Sequence, residues 1–329
     1  MRRLSLLQFQ TRHHGTPPFR RCAAKMASAA ASRRHRKIVV VMGPTGCGKT
    51  KLSIDLASRF FRSSEIVNSD KIQIHRGLDI TTNKIPPRDR ENVPHHLLGE
   101  FDSSESHPEF TPSDFRLAAS LLISRIHSRR NTPFVVGGSN SFIYALLAEK
   151  FDPESDAFAG PDSGVCRGLR YSCCFIWVDV SPAVLAEHLV RRVDDMLGSG
   201  MFEELAEYFG GGEWDSVSRR GLRGAIGVPE FRKYFERKAR GDWTAGDDVA
   251  ERGAYEEAVG AIKDNTCQLA KRQRGKILRL RDSAGWDLKR VDATAPLRAA
   301  MAGRNTAELW ERQVVEPSVK IVNRFLMGD

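Results

Sequence analysis

The sequence predicts an α/β protein, a doubly wound parallel sheet followed by a helical C-terminal part. Three observations carry this reading. Ile38-Val39-Val40-Val41 is a short β-branched run, the composition of a strand buried on both faces. It leads directly into Gly43-Pro44-Thr45-Gly46-Cys47-Gly48-Lys49-Thr50, which fits G-x-x-x-x-G-K-[ST] at every fixed position. Strand and helix signals then alternate as far as Val180, and helical spacing takes over beyond it.

The chemistry of a phosphate cradle explains the spacing of that motif. Its glycines let successive backbone N–H groups turn inward around an anion, and Lys49 adds a point charge. The following helix, with Leu52, Leu56 and Phe60 on its apolar face, directs its positive N-terminal dipole at the same spot. Thr50 places a hydroxyl where Mg²⁺ would sit, so Mg²⁺ is the expected cofactor and Thr50 its ligand. The core is accordingly P-loop NTPase-like, with all eight residues from Gly43 to Thr50 as candidate phosphate-binding positions. The motif alone does not distinguish ATP from another diphosphate.

The remaining elements follow in order. Glu65-Ile66-Val67 predicts a second strand, ending in Asn68-Ser69-Asp70-Lys71. Ligands gather at the carboxyl ends of parallel strands, so Asp70 and the phosphate loop are expected to share a crevice. Gln73 to Glu100 reads as loop, punctuated by Pro86, Pro87 and Pro94, and His95-His96 belongs to it. Thr111-Pro112 opens a helix with Thr111 as N-cap and Phe115, Leu117, Ala118, Leu121, Leu122 and Ile126 on its apolar face. Phe134-Val135-Val136 is the next strand, and the Gly137-Gly138 turn behind it permits close backbone approach to a ligand. Ser139 and Asn140 are therefore added to the candidate binding residues. Asp152 to Gly168 reads as loop, Phe175 to Val180 as strand, and Ser181-Pro182 as the start of a helix. Leu185 to Phe209 has helical spacing broken near Gly198 and Gly200, Gly221 to Phe235 reads as turn-rich, and Asp248 to Leu280 as one long helix. Pro296 to Leu326 supplies closing helices. The expected organisation is a leader over 1–37, an α/β core over 38–180 and a mainly helical, substrate-binding part over 181–329.

Charge is unevenly placed. The net charge of +10 and pI of 9.5 belong to the first 37 residues. They hold ten Arg and Lys and no acid, which leaves 41 basic residues against 41 acidic ones in the body. A neutral body argues against a nucleic-acid-binding surface. The Arg-rich, acid-poor leader has no apolar stretch of secretory type and reads as an organellar transit peptide. Its Ala/Ser-rich second half favours the plastid, with the mitochondrion as the alternative. No run approaches the ~20 apolar residues of a membrane span. The six cysteines show no C-x-x-C spacing, consistent with a reduced protein.

Several stretches together resemble one family. GPTGCGKT, NSDKIQIHRGLDITTNKI, HHLLG, PFVVGGSNSFIYAL, RRVDDMLGSGMFEEL, GLRGAIGVPEF and NTCQLAKRQRGKI are similar to the isopentenyltransferases that prenylate adenine. The likeness runs from about Lys37 to Leu280. It implies that the loop holds the diphosphate of dimethylallyl diphosphate and that the acceptor is an adenine amine. With a free adenine nucleotide as acceptor, the product is a cytokinin precursor. That amine is a poor nucleophile because its lone pair is delocalised into the ring. Attack on an allylic carbon needs its proton removed, for which Asp70 is the best-placed carboxylate. It also needs the departing diphosphate stabilised by Lys49, the loop amides and Mg²⁺. The resemblance further implies that Thr45 orients the amine and that Arg223 binds diphosphate.

Two acceptor classes occur in the family, tRNA and free nucleotides. The tRNA enzymes carry a helical insertion after the helix that follows the Gly-Gly turn. Here only about twenty loop residues separate Lys150 from Tyr171, and the body is neutral. AMP, ADP or ATP is therefore expected in place of tRNA, and the leader-bearing plant members imply ADP and ATP. A monomer is expected. Two alternatives remain: a tRNA dimethylallyltransferase, and a P-loop small-molecule kinase that would release ADP from ATP without any prenyl donor.

Overall fold

The computed structural model describes residues 36–104, 106–160, 164–210, 217–243 and 248–328. Six parallel strands form one sheet: β1 (Lys37–Met42), β2 (Ser64–Asn68), β3 (His95–His96), β4 (Thr132–Gly137), β5 (Ser172–Asp179) and β6 (Leu288–Asp292). Their order is β3-β2-β4-β1-β5-β6. The carboxyl ends of β2, β4 and β1 thus lie side by side, and that edge of the sheet carries the site.

β1 shows why its sequence makes a central strand. Ile38 to Met42 are fully buried. Ile38, Val40 and Met42 face one core, while Val39 and Val41 face the other. This period of two with both faces apolar is the mark of a parallel strand covered on each side by helices. On the first face lie α2 (Pro112–Ser128), α3 (Asn140–Leu147) and the end of the long helix α7 (Asp248–Asp282). On the second lie α1 (Lys49–Asp55), α4 (Pro182–Gly198) and the final helix α10 (Glu316–Met327). Thr111 and Asp114 cap α2 reciprocally: Thr111 Oγ1 accepts from the Asp114 N–H at 3.2 Å, and Asp114 accepts from the Thr111 N–H at 2.9 Å.

A third apolar cluster joins α5 (Met201–Gly210), α6 (Val228–Arg240) and α7 through Leu205, Phe209, Phe231 and Ile262. Two short helices, α8 (Thr294–Met301) and α9 (Ala307–Trp310), link β6 to the end of the chain.

The structure corrects four expectations. Phe60, Leu117 and Leu121, read onto apolar helix faces, are exposed. The segment read as turn-rich from Gly221 to Phe235 holds the end of a 3₁₀ turn (Val217–Gly224) and most of α6. His95-His96 is an edge strand pairing with Ile66-Val67 rather than plain loop. The mainly helical part also returns β6 to the sheet, where Leu288 and Val291 are buried and Lys289 and Arg290 exposed. Two residues of pairing at one edge and two charged side chains at the other leave little for another strand to extend.

Candidate active site

The phosphate loop leaves β1 and enters α1 with Gly46 and Gly48 at φ of 79° and 90°, a region that favours glycine. Thr45, Gly46, Gly48, Lys49 and Thr50 line a cavity of about 250 Å³. Lys49 Nζ donates to the Pro44 carbonyl at 2.7 Å, so its ammonium is folded over its own loop. Gly43, Pro44 and Cys47 are buried beneath the cradle. Burial pushes the Cys47 thiol above its usual pKa, against the pull of Lys49, so it stays protonated.

Asp70 stands two residues beyond the end of β2 and lines the same cavity. Its Oδ1 accepts from the backbone N–H groups of Ile72 at 2.9 Å and Gln73 at 3.2 Å. Its Oδ2 has no hydrogen-bond partner among the described residues. The carboxylate is thereby held by one oxygen and free to act through the other.

A second cavity, of about 420 Å³, adjoins the first. Thr45, Asp70, Gln73 and Arg192 line both. The first cavity is built on the phosphate loop. The second adds Ile72, Leu189, Met196, Ile226 and Leu269 beside Glu230, Asn265 and Arg272. An anionic group in one cavity and a flat polar ring in the other can therefore reach the same four side chains.

Two wall residues lay outside the sequence-based candidates. Arg192, on α4, donates from Nη1 to Thr45 Oγ1 at 3.2 Å. Burial lowers its pKa, and the charges of Asp70 and Cys47 work in the opposite direction. Gln273, on α7, accepts the Thr45 N–H through Oε1 at 2.7 Å. Both belong to stretches that carried the family resemblance, RRVDDML and KRQRGKI, yet neither stands out locally from a charged helix face.

The other candidates lie elsewhere. Ser139 Oγ accepts from the Lys71 N–H at 2.9 Å, which ties the Gly-Gly turn to the residue after Asp70. Asn140 is 2% exposed, and its Nδ2 donates to the Gln273 carbonyl at 3.0 Å. Both side chains support the site from behind. Arg223 is the penultimate residue of the 3₁₀ turn, half-buried, next in sequence to Gly224 of the second cavity. Among the described residues, no group of three or more His, Cys, Asp or Glu could hold a metal ion, and no helix is long and apolar enough to cross a membrane.

The family model described as IPP transferase matches residues 73–163 and 154–276. An adenylate isopentenyltransferase of Humulus lupulus is 56% identical over 298 residues, covering 87% of this chain and 89% of its own length. This chain belongs to the IPP transferase family. A second relative of this isopentenyltransferase, the chloroplastic adenylate isopentenyltransferase 1 of Arabidopsis thaliana, is 50% identical over 92% of this chain and 85% of its own. Among solved structures, a eukaryotic dimethylallyltransferase acting on tRNA superposes with a TM-score of 0.67 at 23% identity, covering 89% of this chain and 80% of that one. At that identity the likeness speaks for the isopentenyltransferase fold alone.

Proposed function

We propose that this protein transfers the dimethylallyl group of dimethylallyl diphosphate to the exocyclic amine of adenine in AMP, ADP or ATP, the first step of cytokinin synthesis. The observation that carries the reading is the wall of Thr45, Asp70, Gln73 and Arg192 shared by two cavities, one of them built on a phosphate loop. The diphosphate takes the loop side and the adenine the other. The bond between the allylic carbon and the diphosphate oxygen breaks, its electron pair leaving with the diphosphate. The adenine nitrogen bonds to that carbon, and its proton passes to the free oxygen of Asp70. Thr45, fixed by Arg192 and Gln273, orients the amine. Lys49, Arg192 and the loop amides meet the charge that grows on the leaving oxygens.

Thr50 offers a hard hydroxyl oxygen to the same cavity and would hold Mg²⁺ there. When bound, Mg²⁺ neutralises part of the leaving group's charge. Free nucleotides are favoured over tRNA by the short Lys150–Tyr171 connection and the neutral body. ADP and ATP are favoured among them by the likeness to leader-bearing plant members. The leader over 1–37, of which all but residues 36 and 37 lie outside the described residues, would direct the chain to the plastid. The chloroplastic name of the Arabidopsis relative supports that address.

One assay tests the core of this reading. AMP, ADP, ATP and tRNA are supplied separately with labelled dimethylallyl diphosphate, and the products are resolved by mass. Prenylated nucleotide is expected, with little product on tRNA. Prenylated tRNA with inert nucleotides would give the chain to the tRNA class. Release of ADP from ATP without the prenyl donor would make it a kinase.

A further inference from the structure

Gln273 occupies a place that the reaction so far uses only as a prop. It projects from α7 between the phosphate loop and the Gly137-Gly138 turn, and it is only 9% exposed. Its amide cannot be turned either way. The Thr45 N–H at 2.7 Å is a fixed donor, and only the amide oxygen can accept from it. The Nε2 end is therefore directed away from Thr45, over Gly138. A Cβ built on Gly138 would lie 2.6 Å from Nε2, so this close seat needs glycine below it. Among the described residues Nε2 has no hydrogen-bond acceptor, although Gln273 lines the phosphate cavity. Asn140 clamps the Gln273 backbone carbonyl, and Arg274 beside it reaches Asp179 at 3.4 Å, so the register of α7 is held at this point.

We infer that Gln273 is a diphosphate-binding residue, whose Nε2 donates to an oxygen of the prenyl diphosphate while its Oε1 holds the loop. This rests on the prenyl-transfer reading above. A nine-tenths buried amide that lines the phosphate cavity, with its oxygen fixed on the loop, presents its remaining donor there, and an anionic oxygen is the acceptor that suits it. Its position on the phosphate-loop side points to the diphosphate rather than the adenine.

The two ends of the amide can be separated experimentally. Gln273→Glu keeps an acceptor for Thr45 but replaces the donor by a negative charge, whereas Gln273→Met removes both. Binding of inorganic diphosphate with Mg²⁺ and of ADP is measured by calorimetry on the full chain, with thermal midpoints as a fold control. Gln273→Glu is expected to weaken diphosphate by at least about tenfold while ADP changes by less than about threefold, the scale of one charge-assisted contact. Gly138→Ala, which crowds Nε2 without changing charge, should weaken diphosphate too and covers the case in which the Glu variant does not fold. Wild-type diphosphate affinity in Gln273→Glu would reduce Gln273 to a loop anchor. A loss confined to ADP would move it to the acceptor side, and both results overturn the assignment. A wild-type protein that fails to bind diphosphate at all would sink the transfer reading and this proposal together.

Discussion

Arg192 Nη1 stands 3.2 Å from Thr45 Oγ1, joining α4 to the phosphate loop across 147 residues of sequence. The guanidinium has no acceptor capacity, so it occupies a lone pair of the threonine oxygen. The hydroxyl hydrogen must then point elsewhere, and the shared wall of the two cavities lies before it. One cation thus sets the orientation of Thr45 and lines the cavity built on the phosphate loop.

Arg192→Met should therefore lower kcat by roughly 10²–10³-fold, the usual cost of removing a donor aimed at developing charge. Arg192→Lys keeps the charge without the planar fork and should recover only part of the loss. Steady-state kinetics with both substrates saturating decides it. A change in KM with kcat intact would restrict Arg192 to ground-state binding.

Lys49 gives a second prediction, on the donor side. Its ammonium lies over the loop, 2.7 Å from the Pro44 carbonyl, and can move onto a diphosphate oxygen when one arrives. Lys49→Ala should cut kcat/KM for dimethylallyl diphosphate by about 10²-fold or more, because the contact strengthens as the bond cleaves. Nucleotide affinity should barely change. Were this a kinase, ATP binding would be the quantity that suffers, so separate titrations of donor and acceptor discriminate.

What could be read from the chain follows from how locally it is encoded. β1, the phosphate loop and the capped start of α2 are consecutive residues obeying short-range rules, and each lies where its pattern places it. Asp70 was legible as a carboxylate at a strand end. Gln273 and Arg192 were not, because a helix residue's partner 228 or 147 positions away leaves no trace in local periodicity. β6 escaped notice because Lys289-Arg290 interrupts its apolar pattern, the price of lying at an edge. The start of α6 was hidden by its own punctuation. Gly227 at the N-cap and Pro229 in the first turn are helix-start signals, but Gly221 and Gly224 just before them make the stretch look like loop.

Glu65 yields a prediction about pH. It is 4% exposed near the start of β2, with Arg129 Nη2 and His96 Nε2 each at 2.7 Å and Asn131 Nδ2 at 2.8 Å. Burial alone would raise its pKa, but these three partners more than offset it and hold the carboxyl at about 2. The folded value lies below the unfolded one, so the stabilisation is complete above the ordinary glutamate range. It drains away as pH falls through that range toward about 2. Glu65→Gln should cost about 3 kcal/mol at neutral pH, the order of magnitude that such a shift represents. The gap between variant and wild type should narrow steadily below about pH 4.5. Urea unfolding of both proteins from pH 7 to pH 3 tests this, and a gap independent of pH would assign the loss to packing.

The sharpest prediction concerns Asp70. Its Oδ1 is engaged by the N–H groups of Ile72 and Gln73, its other oxygen has no hydrogen-bond partner among the described residues, and the residue lines both cavities. Asn can keep the Oδ1 role, since an amide oxygen accepts the same two backbone bonds, so Asp70→Asn should fold and bind both substrates. It cannot take a proton from the amine. Turnover should fall by roughly 10²–10⁴-fold, the range of positioned acid–base catalysis. Thr45→Ala should cost less, because it removes the orienting hydroxyl but leaves the base. The comparison is made on kcat with both substrates saturating, so that weakened binding does not enter. A loss of tenfold or less in Asp70→Asn would mean that another group accepts the proton, and Asp70 would then serve only to cap the turn after β2.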